Sequence, residues 1–374
     1  MKLVHLSDLH LGKRLNEFSL IEDQEDILNK ILAIVRAEAP EGVMIAGDVY
    51  DKAVPSAEAV ALFDRFLVGL AELTPHIFVI SGNHDSPERI AFAAHLLSRA
   101  GIHLSPVYDG RVRPVELTDE FGTAAVYLLP FIKPAHVRRA FPEETIDTYT
   151  DALGAAVAHL ELDEGKRNIL VTHQFVTGAA RSESEEISVG GADNVDGAVF
   201  APFDYVALGH LHSPQSCGEP KLRYCGTPLK YSFSEAGDRK SVTVAELREK
   251  GDLRLRTVPL TPLRDMVELR GSFETLTAAE FYAGKREDYV HITLTDEQDI
   301  PDALGKLRSV YHNLMKLDYD NARTRATGQI EAPSQALRSP LALFAELYEQ
   351  QNNQPMSPQQ RTFLEELLAK EQEA

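Results

Sequence analysis

The sequence has only two cysteines, Cys217 and Cys225, on either side of a short turn-rich segment. In a reducing compartment both are expected as free thiols, with a cross-hairpin disulfide as the alternative. Long apolar runs are missing too: no stretch approaches the roughly 18 uninterrupted apolar residues that cross a bilayer. The opening Met1-Lys2-Leu3-Val4-His5 enters a strand pattern with no basic n-region, apolar h-region or small-residue cleavage site, so the expected address is cytoplasmic. Positive charge is scarce, with 38 Lys and Arg against 57 Asp and Glu and a formal net charge of −19. That balance excludes a surface that wraps nucleic acid by itself, because neutralising phosphates takes clustered Lys and Arg. It does not exclude phosphate chemistry, since bound divalent cations supply positive charge locally.

What is present is length and alternation. A chain of 374 residues accommodates one large domain of roughly 200–250 residues and a smaller one. "KLVHLSD", "GVMIAGD" and "HIFVISG" read as strands, separated by helical patterns at 21–37 and 57–73 and followed by one at 87–100. This is the pattern of βαβ units around a buried, largely parallel sheet. "RVRPVEL" and "AAVYLLPFI" then suggest a hairpin, a helix is expected over 150–162, and "NILVTHQ" and "FDYVALGHLH" read as further strands. "LRYCG", "SVTVAEL" and "LRLRTVPL" are expected to form an antiparallel set. The fold class is therefore α/β (α+β), a β-sandwich flanked by helices, with the first domain spanning 1–261.

The apolar runs end alike: Ser7-Asp8-Leu9-His10, Gly47-Asp48, Gly82-Asn83-His84-Asp85, Thr172-His173 and Gly209-His210-Leu211-His212. A single Asp or His after a strand is usually a turn residue or a solvated side chain, as expected for His5 or His103. Five such ends exceed what turn chemistry requires. In sheets built from βαβ units, sites gather outside the carboxyl ends of the strands, so residues two hundred positions apart can converge. Asp8 and His10, two apart in an extended segment, would face one side and share an ion, and His210 and His212 likewise. Oxygen and nitrogen ligands without thiolate suit manganese, iron or zinc, and eight such groups suffice for two ions rather than one.

In order and spacing, "DLHLG", "GDVYD", "GNHD", "VTHQ" and "GHLH" resemble the calcineurin-like metallophosphoesterases. "FDYVALGHLHSPQ" and "RYCGTPLKYSFSE" are similar to the DNA-repair nuclease branch, the bacterial SbcD family, and the likeness covers nearly the whole chain, more loosely beyond about residue 245. The resemblance implies Asp8, His10 and His212 on one divalent ion, Asn83, His173 and His210 on a second, and Asp48 bridging, with manganese as the expected metal. His84 would assist the leaving group as an acid. Asp51, the second carboxylate of "GDVYD", is expected to orient His84 by hydrogen bonding, a position where archaeal and eukaryotic relatives carry His. "GDVYDKAVP" lacks the Arg-Gly that follows this motif in phosphoprotein phosphatases.

The implied activity is double-strand exonuclease and single-strand or hairpin endonuclease, within an ATP-dependent complex acting on DNA ends. The implied partner is an SbcC-type coiled-coil ATPase, with two nuclease subunits in a heterotetramer, nucleoid-associated when on DNA. ATP hydrolysis would fall to that partner, because the chain has no G-x-x-x-x-G-K-[ST] loop. A small-molecule phosphodiesterase of the same superfamily is the alternative, and a non-catalytic DNA-end scaffold a third reading. Lys52, Arg89, Arg181, Lys230 and Arg239 are individually weak candidates for phosphate contacts. The polar loop 178–199 reads either as a solvated connection or as a substrate-side flap.

Beyond residue 262, "DMVELRG" and "DYVHITLTD" read as strands, with helices near 276–282 and over 302–317. For this smaller unit, 262–320, the resemblance implies an α/β cap that positions DNA, the alternative being a module that only packs. After a linker at 321–339, the segment 340–374 carries two apolar helical stripes: Leu341, Phe344, Leu347 and Tyr348, then Phe363, Leu364, Leu367 and Leu368. Ser357-Pro358-x-Gln360 reads as a capping box with Pro at the first helical position. Two short helices are marginal alone, so they either fold back on the cap or dock on the partner's coiled coil.

Overall fold

The computed structural model describes residues 1–180, 193–327, 340–352 and 355–372. It divides into two compact units, residues 1–265 and residues 266 onward.

In the first unit, β1 (Lys2–Leu6), β2 (Gly42–Ala46), β3 (His76–Ile80) and β4 (Ile102–Leu104) pair in parallel. Helices α1 (Ile21–Glu38) and α2 (Ala57–Ala71) make the first two crossovers. α1 buries the stripe Ile27, Leu28, Ile31 and Val35, and α2 opens where the Ser56 side chain accepts from the Ala59 N–H. Every residue of β2 is buried because both faces of the sheet are covered. The helix expected over 87–100 is instead broken into Pro87–Ile90, Ala94–Leu97 and Ser98–Ala100, interrupted at Ala93, whose φ of 59° is left-handed.

A second sheet contains β5 (Val115–Asp119) and β6 (Gly122–Leu129), the expected hairpin, then β7 (Arg167–His173) and β8 (Tyr205–Gly209). The helices α3 (Pro134–Ala140) and α4 (Tyr149–Ala158) lie between β6 and β7 in sequence. Strands β9 (Gln215–Ser216) and β10 (Leu222–Tyr224) complete the sheet. The "LRYCG" strand therefore does not join the antiparallel set, because β10 runs parallel to β8. A short apolar run carries no information about its partner, which long-range pairing decides. The chain then crosses back, and β11 (Ser241–Leu247) and β12 (Leu253–Pro259) extend the first sheet, with β11 antiparallel to β1.

The two sheets pack face to face. Leu3, Met44, Phe78 and Ile80 of one meet Val126, Leu128, Ile169, Val171 and Ala207 of the other. Intervening residues such as Leu129, Leu170 and Leu208 point outward against Leu153, Ala156 and Val157 of α4, as period-two alternation requires. Cys217 and Cys225 are free and buried, and Cys225 Sγ donates to the His5 carbonyl, so the disulfide alternative is not realised. Among the described residues no helix is long and apolar enough to cross a membrane.

The second unit has a parallel three-stranded sheet, β13 (Met266–Gly271), β14 (Tyr289–Leu294) and β15 (Asn313–Tyr319). With α5 (Phe273–Thr277) and α6 (Ala303–Arg308) it encloses Leu269, Leu276, Val290, Ile292, Leu307 and Leu314. The helix expected over 302–317 stops at Arg308 and its last part is β15. Leu307, Tyr311 and Leu314 sit at helical spacing, but pairing with β14 wins over that pattern. Of the final helices α7 (Pro340–Asn352) and α8 (Pro358–Gln372), the second begins with the expected reciprocal cap: Ser357 N–H to Gln360 Oε1 at 2.9 Å and Gln360 N–H to Ser357 Oγ at 3.3 Å.

Candidate metal centre

The site is built at the carboxyl ends of β1, β2, β3, β7 and β8, where each strand stops and the chain turns. The turns are left-handed: Asp8 (φ 53°), His10 (φ 43°), Asp48 (φ 49°) and His210 (φ 102°) all hold a conformation that L side chains avoid. The extended conformation expected from Asp8 to His10 and from His210 to His212 is therefore corrected. Asp8 and His10 still meet, through two left-handed residues, and His212 lies with them, whereas His210 places its Nδ1 beside Asn83. Backbone hydrogen bonds lock the loops together: Asp8 N–H to the Gly47 carbonyl at 3.0 Å, and His10 N–H to the Asp48 carbonyl at 2.9 Å. Gly47 (φ 86°) leaves room for His173 Nδ1, which a Cβ would approach to 2.5 Å, and a Cβ on Gly82 would overlap the Asp48 carboxylate.

Three groups of potential ligand atoms result, each within 4.8 Å: Asp8, His10 and His212; His10, Asp48 and His84; and Asp8, Asp48 and His173. Asn83 adds its oxygen, with Oδ1 2.9 Å from His173 Nε2 and 3.0 Å from His210 Nδ1. Asp48 lies between the two ends, with Oδ2 3.3 Å from His173 Nε2 and 3.7 Å from His10 Nε2. The Asp8 carboxylate also accepts from the His210 N–H, at 3.0 Å through Oδ1.

The donor set fits cations. Both ring nitrogens of His10 are buried with no hydrogen-bond partner among the described residues. His173 Nδ1 donates to the Ala46 carbonyl at 2.8 Å, so a neutral His173 turns a lone pair toward the oxygens of Asn83 and Asp48. Acceptors facing acceptors in a buried pocket call for a proton or a metal ion. Burial drives His10 well below its ordinary value and His210 down to about 3, leaving neutral imidazoles able to coordinate. Burial likewise pushes Asp8 up to about 6. Burial opposes the charge of Asp48 too, but the imidazoles of His173, His10 and His84 outweigh it and hold that carboxyl well below the carboxylate range.

His84 is half-buried at the rim. Its N–H donates to Asp48 Oδ1 at 2.9 Å and its Nε2 lies 4.0 Å from Asp48 Oδ2. Asp51 does contact His84, but through its main chain: His84 Nδ1 donates to the Asp51 carbonyl at 3.0 Å, while the Asp51 carboxylate takes Lys13 Nζ at 2.7 Å. The tight turn after Asp48 brings the carbonyl, and not the side chain, to the ring. Lys52, Arg89 and Arg239 are exposed, Lys230 is paired with Asp265 at 2.8 Å, and Arg181 lies outside the described residues, as does most of the loop 178–199.

Several neighbours take roles that the sequence did not assign them, Asp85 of the polar strand end among them. Buried Asp85 accepts from the main-chain N–H groups of Val49, Tyr50 and Gly82, tying the "GDVYD" loop to the "GNHD" loop. Gln24 and Tyr231 donate to the carbonyls of His10 and Leu9. Beside Asn83 and His210 opens a space of about 120 Å³ lined by Phe131, Lys133, Tyr149, Gln174 and Phe175. The Phe131 ring lies parallel to that of His210, 14° apart at 6.5 Å, with Lys133 Nζ 5.8 Å from its centre.

Residues 1–214 match the calcineurin-like phosphoesterase family model. The chain belongs to the calcineurin-like metallophosphoesterases. Residues 262–352 match a second model, described as the type 5 capsule protein repressor C-terminal domain, SbcD_C. Two curated relatives are each named as a subunit of the SbcCD nuclease. The protein of Staphylococcus epidermidis is 34% identical over 321 residues, 85% of this chain and 85% of that one. That of Staphylococcus saprophyticus is 32% identical over 321 residues, 85% and 84% of the two chains. A solved dimetal phosphatase from Danio rerio aligns with 70% of this chain and 98% of that one at 12% identity and a TM-score of 0.42, too distant a likeness for functional comparison. As a metallophosphoesterase, the chain is a metal-dependent enzyme that opens phosphoester bonds.

Proposed function

We propose that this metallophosphoesterase is the nuclease subunit of an SbcC–SbcD-type complex, cutting the phosphodiester backbone at DNA ends and hairpins. The observation that carries the reading is the buried Asp–His–Asn cluster with Asp48 between its two ends, in a chain related along 85% of its length to nuclease subunits. One cation would be held by Asp8, His10, His212 and Asp48, the other by Asp48, Asn83, His173 and His210, with manganese the preferred metal. When bound, two such cations neutralise charge on the phosphate and make water a better nucleophile.

The protein's own part is positioning and proton transfer. Asp8 and Asp48 enter on loops cross-linked by main-chain hydrogen bonds, and the Asn83 loop is tied to the Asp48 loop through the Asp85 and Asp48 carboxylates, so the ligand oxygens are held before any cation arrives. With Nδ1 donating to the Asp51 carbonyl, the free Nε2 of His84 is the only ring atom able to pass a proton. In its imidazolium form His84 would give the Nε2 proton to the departing oxygen as water adds to phosphorus and the phosphorus–oxygen ester bond breaks, and the proton lost by the water would pass to solvent. The Phe131 and Lys133 wall offers a flat ring and a cation, suited to a base and its phosphate. The smaller unit would act as the DNA-positioning cap, and α7 and α8 would dock on the coiled-coil ATPase. Two nuclease subunits would assemble with that ATPase in the cytoplasm, at the nucleoid, and the partner would provide most of the basic DNA track.

Cleavage of an end-labelled duplex with manganese, with and without the partner ATPase and ATP, tests this. Degradation of the duplex supports the nuclease. Hydrolysis of a small phosphodiester such as bis(p-nitrophenyl) phosphate, with no DNA cleavage under any of these conditions, would favour the small-molecule phosphodiesterase.

A further inference from the structure

The segment 226–240 carries the chain from β10 in the second sheet to β11 in the first, and it encloses one residue of the metal centre from behind. The main-chain carbonyl of His212 accepts from Thr227 N–H at 3.0 Å and from Lys240 Nζ at 2.9 Å. The His212 ring, meanwhile, has its Nδ1 3.2 Å from Glu235 Oε1. Glu235 is 1% exposed, and its other oxygen takes Lys240 Nζ at 2.6 Å, Thr227 Oγ1 at 3.4 Å and Tyr231 N–H at 3.4 Å. Lys240, 5% exposed, also reaches Asp238 at 3.2 Å.

A buried carboxylate and ammonium are not needed to hold a crossover in place, since well-packed apolar residues of similar volume usually stabilise as well or better. What an ionised carboxylate adds is direction. It can only accept, so His212 Nδ1 must donate, which leaves Nε2 as the coordinating nitrogen of a ring grouped with Asp8 and His10. Lys240 joins the two restraints, because one ammonium holds both the His212 carbonyl and the carboxylate that aims its ring. Outer carboxylates that orient a coordinating imidazole in this way typically alter metal affinity 10–100-fold when removed.

We propose that Glu235, anchored by Lys240, is a positioning residue that fixes the tautomer and ring direction of His212 for binding a divalent cation. The inference rests on the reading of His212 as a ligand, and the test separates the two. Manganese alone is titrated calorimetrically into the metal-free full chain, and the electron paramagnetic resonance of the loaded protein reports whether two ions are present together. Glu235→Gln is expected to weaken one of two manganese sites about 10–100-fold and leave the other unchanged. Glu235→Gln combined with Lys240→Met removes the buried ammonium that has lost its closer carboxylate and keeps only Asp238, and it is expected to regain thermal stability without regaining manganese affinity. That pair of readouts distinguishes positioning from a structural role, and the double variant decides the matter should the single one fold poorly. If His212→Ala loses one manganese ion while the Glu235 variants bind both as tightly as wild type, the positioning role of Glu235 is wrong. If His212→Ala itself retains both ions at full affinity, the ligand reading fails and the inference falls with it.

Discussion

His173 Nε2 lies 3.3 Å from Asp48 Oδ2 inside a pocket where both side chains are shut off from water. Burial alone would lower the imidazole, but the carboxylates of Asp48 and Asp8 and the Ala46 carbonyl outweigh it and raise His173 above its ordinary value. In the metal-free protein this favours a proton on His173 Nε2 at neutral pH, and a cation held there, as proposed, would have to displace it. Manganese binding is expected to release at least one proton per chain at pH 7, and apparent affinity should rise with pH. Calorimetry in two buffers with different ionisation heats measures the release, and a value of zero would contradict the pairing.

Asp85 holds three main-chain N–H donors from two ligand loops. Asn has one acceptor oxygen and presents an NH2 to the remaining donors. Asp85→Asn should cost about 2–3 kcal/mol of stability, since a buried donor left unmatched carries roughly that penalty. It should also weaken manganese binding, because Asp48 and Asn83 sit on the two loops released. Chemical denaturation and a metal titration check both, and unchanged affinity would show that the loops keep their shape without this tie.

Arg167 is 2% exposed and donates to Asp119 through two nitrogens, at 2.6 and 3.1 Å. Partial burial opposes the charge of Asp119, yet the hydrogen bonds from Arg167, the Met1 amine and the Phe121 N–H together outweigh it and hold the carboxyl at about 2. The folded value lies below the unfolded one near 3.9, so this stabilisation is complete above about pH 4 and is lost as pH falls toward 2. Asp119→Asn should lower stability at pH 7 by about 2 kcal/mol and flatten the loss of stability between pH 4 and pH 2. Thermal unfolding across that range is the measurement, and parallel profiles would refute the assignment.

On α7 and α8, Leu343, Phe344, Leu347, Phe363 and Leu367 are exposed. If these helices dock on the coiled-coil ATPase, Phe344→Glu together with Phe363→Glu should reduce co-purification with it by tenfold or more, while hydrolysis of bis(p-nitrophenyl) phosphate by the isolated chain stays unchanged. Retained assembly would move the docking surface elsewhere.

The convergence of these side chains was legible in the sequence because hydrophilic residues that follow buried strands have few structural reasons to be there. Which of them lie side by side was not legible from spacing, because it depends on left-handed residues such as His210, and only the family resemblance implied a division. The Asp51 carbonyl contact to His84 was equally hidden, since every residue has a carbonyl and only the turn decides which one arrives. Glu235 lies 23 residues beyond His212, in a stretch without periodicity, so nothing local connects them. The sheets themselves followed from short apolar runs alternating with helical patterns, whereas the direction of "LRYCG" and the strand character of 313–319 were set by partners distant in sequence.

The most direct measurement is the single-turnover rate of His84→Gln on end-labelled duplex DNA, with manganese occupancy measured on the same sample. With His84 as the proton donor, the variant should bind both manganese ions like wild type and cut about 10²–10⁴-fold more slowly. Equal cutting rates at equal occupancy would contradict the role given to His84.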